Sequence, residues 1–230
     1  MGKTSIIITA GGIGRRMKSS LPKQFLLVNE KPILMHTIEK FYHYNPNFEL
    51  ILTLPDDWHL FWEELMAEHD FRIPHRVVSG GEQRYHSVKN ALNHCTGEDI
   101  LVHDGVRPIV DHELISRCLE KLQEKDVVIP VVPIHESMRQ NKDGKTISVN
   151  RMDYVIVQTP QCFRRKAIMK GYEKDFHEGV TDDATIVEEA GFFIDTVQGS
   201  ENNIKITHYD DLKIAEAIFC LLYTSDAADE

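Results

Sequence analysis

The sequence predicts an α/β protein: a doubly wound, mostly parallel sheet of the Rossmann-like kind, with a β-arm protruding from it. Three observations carry that expectation. Short apolar segments alternate with segments of helical period over most of the 230 residues. The apolar segments run almost without polar interruption, as strands covered on both faces do. The alternation breaks once, over residues 134–157, where the chain turns polar around an Asp143-Gly144 turn signal.

Taken in order, residues 5–9 form a β-branched strand that runs into a glycine loop. Residues 34–44 read as a helix, with Ile38, Phe41 and Tyr42 on one face and Asn45-Pro46 ending it. A buried strand over 50–54, a helix over 58–69 and a short strand over 76–78 follow. Gly80-Gly81 marks a loop, and Tyr85, Val88, Leu92 and Cys95 make a helical stripe. A strand over 100–102, a helix over 113–124 and a strand over 127–132 lead to the polar arm. Beyond it the pattern resumes with a helix near 164–174 and another opening at Thr181. Asp182 and Asp183 follow Thr181, which suits it as an N-cap. A strand over 192–197, a short strand over 202–206 and a last helix from His208 complete the run, with Thr207 as a second N-cap candidate. No repeat or low-complexity linker divides the chain, so residues 1–219 are expected to form one domain. Residues 220–230, CLLYTSDAADE, leave the pattern. They match an in-frame translation of a transposon adapter used for sequencing libraries, and are expected to be a non-native tail. A frayed terminal helix is the other reading.

Length and composition exclude several function classes. A chain of this length can bury a core without staples, and an apolar content of 42% separates it from disordered sequences. The formal charge of −10 argues against general nucleic-acid binding, so any polyanion site has to be a local basic patch. No apolar run approaches the ~20 residues that a membrane helix needs. Cys95, Cys118, Cys162 and Cys220 share no metal-type spacing, the histidines form no H-x-x-x-H clamp, and nothing resembles a signal peptide. A cytoplasmic setting is therefore expected.

The chemistry concentrates in three stretches. In TAGGIGRRMKSSLPKQ, residues 9–24, glycines allow close backbone approach while Arg16 and Lys23 supply charge for phosphate. It is neither a Walker A loop, since Gly14 is followed by Arg15-Arg16, nor a dinucleotide fingerprint, since Met17 stands where the third glycine belongs. In LVHDGVRP, residues 101–108, a strand delivers Asp104 to the same sheet edge, where a carboxylate can hold Mg²⁺ or simply begin the turn at Gly105. Arg107 lies three residues on. In SGGEQRYHSVKNAL, residues 79–92, Gly80-Gly81 permits close approach and Ser87 sits early in a helix.

T-A-G-G-x-G-x-R-M with P-K-Q, then G-G-x-x-R-x-x-S-V, V-H-D-G-x-R-P, Q-T-P-Q and N-I-K-I-T, in that order over about residues 4–219, resemble the 2-C-methyl-D-erythritol 4-phosphate cytidylyltransferases. Ribitol-5-phosphate cytidylyltransferase is a close relative. The resemblance implies a nucleotidyltransferase that moves CMP from the co-substrate CTP to a polyol phosphate, with Mg²⁺ or another divalent cation. It implies that Ala10, Gly11, Gly81, Glu82 and Ser87 line the cytosine and ribose, and that Gly14, Arg16 and Lys23 hold the triphosphate. Asp104 would bind the metal, and Arg107, Thr159, Thr181 and Lys205 would surround the acceptor and the reacting phosphate. Ser137 and Arg151, on the arm, would serve the neighbouring subunit of a homodimer. The family commonly has Asp at Glu82 and Thr at Ser137. Three readings stay open here: the methylerythritol enzyme of isoprenoid precursor synthesis, a pentitol-phosphate cytidylyltransferase, and a non-catalytic nucleotide-binding module.

Overall fold

The structure, a computed structural model, describes residues 3–12 and 21–226, with side chains through residue 222. The first half is built from β1 (Thr4–Thr9), the small ladder β2 (Leu27–Val28) and β3 (Lys31–Pro32), α1 (Ile33–Tyr44), β4 (Glu49–Leu54), α2 (His59–Glu68), β5 (Arg76–Ser79), α3 (Arg84–Leu92), β6 (Asp99–Asp104) and α4 (His112–Leu122). The second half adds β7 (Val127–Pro133), the hairpin β8 (Arg139–Lys142) and β9 (Lys145–Ser148), β10 (Val155–Val157), β11 (Gln161–Arg164), α5 (Arg165–Gly171), α6 (Asp183–Glu189), β12 (Asp195–Gln198) and α7 (Tyr209–Asp226).

The main sheet runs β10-β7-β11-β6-β1-β4-β5, with β12 also paired to β7. β1 is parallel to both β4 and β6, β4 to β5, and β7 to β12. The expected doubly wound architecture is present because each central strand feeds two cores. Ile6 and Ile8 join one cluster with Leu34, Ile38 and Phe41 of α1 and Leu114 and Cys118 of α4. Ile7, Ile51, Ile100 and Val102 join the opposite one, with Val88 of α3, Ala167 of α5 and Ile186 of α6. Alternate residues of one strand thus meet helices on opposite faces, which is why the strands read as unbroken apolar runs. A third cluster joins Val106 and Ile109 to Ile206 and to Leu212, Ala215 and Phe219 of α7.

Several elements differ from expectation. β11 stands where the sequence reads as the approach to a helix, and it is antiparallel to both neighbours, β6 and β7. Residues 202–206 form no ladder; Ile206 N instead donates to Val106 O at 2.9 Å. Thr181 does not cap α6: Asp182 does, its Oδ1 accepting from Thr185 N at 2.9 Å. At the start of α7, Asp211 Oδ2 accepts from the backbone N–H groups of Thr207 and His208, each at 2.7 Å, so the cap acts on Thr207 rather than through its hydroxyl. Cys95 falls in the turn after α3. The arm has the expected turn, with Asp143 and Gly144 both at positive φ (50° and 75°) as a two-residue hairpin loop requires. Its return strand β10 pairs with β7 and so belongs to the main sheet. The arm also exposes apolar side chains, among them Ile147, Met152 and Ile156. α7 continues through residues 220–226, into the segment that the sequence sets apart.

The chain passes outward from β1 through β4 to β5, then returns to place β6 on the other side of β1. Strand order reverses there, and the crevice beyond the carboxyl ends of β1 and β6 is where such sheets bind ligands.

Candidate active site

A cavity of about 460 Å³ opens at that crevice, between the loop after β1 and the loop after β5. Register sets its floor: Thr9 of β1 lies opposite Asp104 of β6 and Thr53 of β4. The strand ends are tied across the sheet, Ala10 N donating to Thr53 O at 3.0 Å and Gly105 N to Thr9 O at 2.9 Å. Pro22 leads into a tight turn over Lys23–Phe25, which buries Phe25 in the core and brings Lys23 and Gln24 to the cavity. Gln24 Nε2 donates to Ala10 O at 2.6 Å, holding the first glycine loop, and Lys23 Nζ donates to Ile206 O at 3.0 Å.

The opposite wall is the Gly80-Gly81 loop and the first turn of α3. Gly81 N donates to Ser87 Oγ at 2.9 Å. A Cβ on Gly81 would lie 2.3 Å from His86 Cβ, so only glycine fits this close return of the loop onto the helix. A Cβ on Gly11 would stand 3.4 Å from Ser87 Oγ, so the two loops nearly touch through that hydroxyl.

Asp104 is buried at the cavity wall among three cations. Lys205 Nζ lies 2.8 Å from Oδ2, Arg84 Nε 3.3 Å from Oδ1 and Arg107 Nε 3.5 Å from Oδ2. Burial pushes this carboxyl up, but Arg84, Lys205 and Arg107 outweigh it and hold the group well below the usual carboxylate range. Arg84 shows the mirror image: burial favours its neutral form, and Asp183 and Asp104 outweigh that to keep it firmly charged. Beneath Asp104, its backbone N–H donates to Thr159 Oγ1 at 3.2 Å; that hydroxyl is 3.0 Å from His103 Nδ1, and His103 Nε2 is 3.0 Å from Arg107 O. One tautomer satisfies the set, with Thr159 donating to Nδ1 and Nε2–H donating to the carbonyl.

The cavity brings together Ala10, Gly11, Lys23, Gly81, Glu82, Ser87, Asp104 and Lys205 of the residues singled out from sequence. Gly14 and Arg16 lie outside the described residues. Arg107 stands behind Asp104, anchored by Nη1 to Asn203 O at 2.7 Å, and Thr159 is buried beneath it. Thr181 lines a separate cavity of about 100 Å³ that shares Gln83 and Arg84 with the larger one. Ser137 and Arg151 are exposed on the arm and do not line this chain's cavity, and Arg151 Nη1 donates to His135 O. Sequence reasoning missed Arg84, Gln24, His103 and Asp183. Arg84, Gln24 and His103 each stand inside a stretch already singled out, and Asp183 reads only as an acid of the first helical turn after Thr181.

The chain matches the family model described as 2-C-methyl-D-erythritol 4-phosphate cytidylyltransferase, IspD, over residues 4–220. A Bacteroides thetaiotaomicron protein of that name is 46% identical over 217 residues, which is 94% of this chain and 99% of that one. Among solved structures, the 4-diphosphocytidyl-2C-methyl-D-erythritol synthase of Anaerococcus prevotii is 28% identical with a TM-score of 0.80, over 94% of this chain and 96% of that one. The bifunctional IspDF of Campylobacter jejuni is 26% identical with a TM-score of 0.78, and the chain spans about half of it, 53%.

Proposed function

We propose, from the premise that the chain belongs to the 2-C-methyl-D-erythritol 4-phosphate cytidylyltransferase family, that it transfers CMP from CTP to 2-C-methyl-D-erythritol 4-phosphate and releases pyrophosphate. This is a step of isoprenoid precursor synthesis by the non-mevalonate route. The observation that carries the reading is the cavity itself: two glycine loops face each other, and Lys23, Arg84 and Lys205 line it around one buried carboxylate.

The acceptor's phosphate monoester is an anion near neutral pH and needs no side-chain base. Its oxygen attacks the α-phosphorus of CTP in line, a new P–O bond forms, and the bond to pyrophosphate breaks. The protein's work is to position two repelling anions and to stabilise the charge on the leaving group. Ala10, Gly11, Gly81, Glu82 and Ser87 take the cytosine and ribose; Gly14, Arg16 and Lys23 take the triphosphate. Lys205 takes the acceptor side, with Arg107 acting from behind Asp104 and Thr181 from the adjoining cavity. Thr159 acts from below, through the Asp104 N–H that it accepts.

Asp104 suits a divalent cation held chiefly by substrate, because Mg²⁺ commonly takes one or two carboxylates and completes its shell with water and phosphate oxygens. When bound, Mg²⁺ supplies charge neutralisation at the phosphates. Ser137 and Arg151 reach the acceptor from the neighbouring subunit of a homodimer, which the exposed apolar residues of the arm support. The setting is the cytoplasm; no described helix is long and apolar enough to cross a membrane. The test is pyrophosphate release by the purified chain with CTP and each acceptor in turn. Release with 2-C-methyl-D-erythritol 4-phosphate is expected; release with ribitol 5-phosphate alone would overturn the assignment.

A further inference from the structure

Arg84 opens α3 directly behind the second glycine loop, and its guanidinium lies between two carboxylates from distant parts of the chain. Nε faces Asp104 Oδ1 at 3.3 Å, and Nη2 faces Asp183 Oδ2 at 2.7 Å. Asp183 is fully buried, and its other oxygen accepts from the Tyr172 hydroxyl at 2.6 Å. The start of α6, where Asp183 sits, is itself pinned to β11. Gln161 Nε2 donates to Asp182 Oδ2 at 2.7 Å, and Ala184 N donates to Gln161 Oε1 at 3.0 Å. Asp183 is therefore fixed to the strand that lies beside β6, the strand carrying Asp104.

A buried carboxylate weakens a fold unless it is paired. This one's cationic partner lines the reaction cavity instead of the core. The three cations around Asp104 also differ in how they are held. Arg84 has Asp183, and Arg107 has Asn203 O at 2.7 Å. Lys205 meets Asp104 at 2.8 Å with its side chain 44% exposed.

We propose that Arg84 is a positioning residue for the transfer reaction: braced by Asp183, it holds the Asp104 carboxylate at the cavity wall, so that Lys205 can leave Asp104 for an incoming phosphate. Two arginines then remain to pair the carboxylate. Without the brace, Arg84 follows whichever anion is nearest, and Asp104 is no longer held in one place while Lys205 exchanges. The inference rests on the cytidylyl-transfer reading above. A misplacement on the order of an ångström costs about a hundredfold in rate, so the effect belongs in kcat more than in nucleotide binding.

The experiment measures pyrophosphate release from CTP and 2-C-methyl-D-erythritol 4-phosphate by wild type, Asp183→Asn, Arg84→Lys and the double variant, with each melting temperature recorded. Asp183→Asn keeps shape and an acceptor; Arg84→Lys keeps charge but loses the fork that spans two acids. Each single variant should lose roughly ten- to a hundredfold in kcat with KM for CTP little changed, and the double variant should be no worse than the poorer single one. A lowered melting temperature with normal kcat, or losses that multiply in the double variant, overturns the proposal. Should Asp183→Asn fail to fold, Arg84→Ala decides: its missing side chain opens onto the cavity, so added guanidinium should restore part of kcat where sodium does not. No recovery overturns the proposal. An inactive wild type would instead sink the transfer reading, before any variant is compared.

Discussion

Acidification perturbs one group beside Asp104 by an amount that follows from the structure. His103 is fully buried, with Nδ1 facing Thr159 Oγ1, Nε2 facing Arg107 O, and its ring against the edge of Phe41 at 4.9 Å between centroids. Burial pushes its pKa down from 6.5 to about 4. The unfolded chain takes up the proton near 6.5, the folded chain only near 4. Because the folded value is the depressed one, the contribution to stability is complete above pH 6.5 and is lost as pH falls towards 4. The slope is about 1.4 kcal/mol per pH unit, about 3 kcal/mol over the whole window. His36 and His75 are also lowered by burial, so the share of His103 is the difference between wild type and His103→Gln. Gln keeps one acceptor and one donor but does not titrate. Urea unfolding at steps between about pH 7.5 and 4.5 should show the variant losing stability less steeply than wild type. Parallel curves, or an ordinary His103 titration near 6.5 by NMR, would refute the reasoning.

Three further outcomes are expected. Lys23→Ala should lower turnover about a hundredfold while the chain stays folded, because a single charge-stabilising donor is typically worth about 3 kcal/mol; a near-normal rate would remove Lys23 from the triphosphate. Truncation after Phe219 should shift the melting temperature by no more than a few degrees, since Phe219 closes the third core cluster whereas Cys220, Leu221 and Leu222 are exposed; a larger loss would show that the segment beyond it packs. Mixing an Arg16→Ala chain with an Arg151→Ala chain should restore a fraction of wild-type activity after subunit exchange, because one site of the mixed dimer keeps both residues. No recovery, with heterodimers confirmed by mass, would mean that Arg151 does not serve the partner.

The central strands and most helices were legible because they are long, periodic and apolar. β11 was not: four residues after Thr159-Pro160, buried along their first three positions, give no alternation to read. The cap of α6 reads one residue early in the sequence, at Thr181 with Asp182 as a first-turn acid; Asp182 is the cap, and Gln161 of β11 holds it in place. Residues 202–206 have strand-like composition but meet Val106 and Lys23 one bond at a time, both at Ile206. At the site, residue types were readable and partners were not. Thr159 offers a hydroxyl, but that hydroxyl is taken up by His103 and the Asp104 N–H. Arg84 is read only as one position of a motif, with no role, because nothing in the sequence places Asp183, far along the chain, beside it.

The placement of β1 has a consequence for the order in which the molecule is made. Its ladder partners are residues 49–53 on one side and 99–104 on the other, so β1 leaves the ribosome before both of the segments that flank it. At about 5–20 residues per second, it waits several seconds for its second neighbour. During that interval three consecutive isoleucines, Ile6, Ile7 and Ile8, stand without the flanking strands and without the helices that later cover both faces. Nascent chains that end before β6 are therefore expected to be the ones that chaperones hold and that aggregate when they are not held.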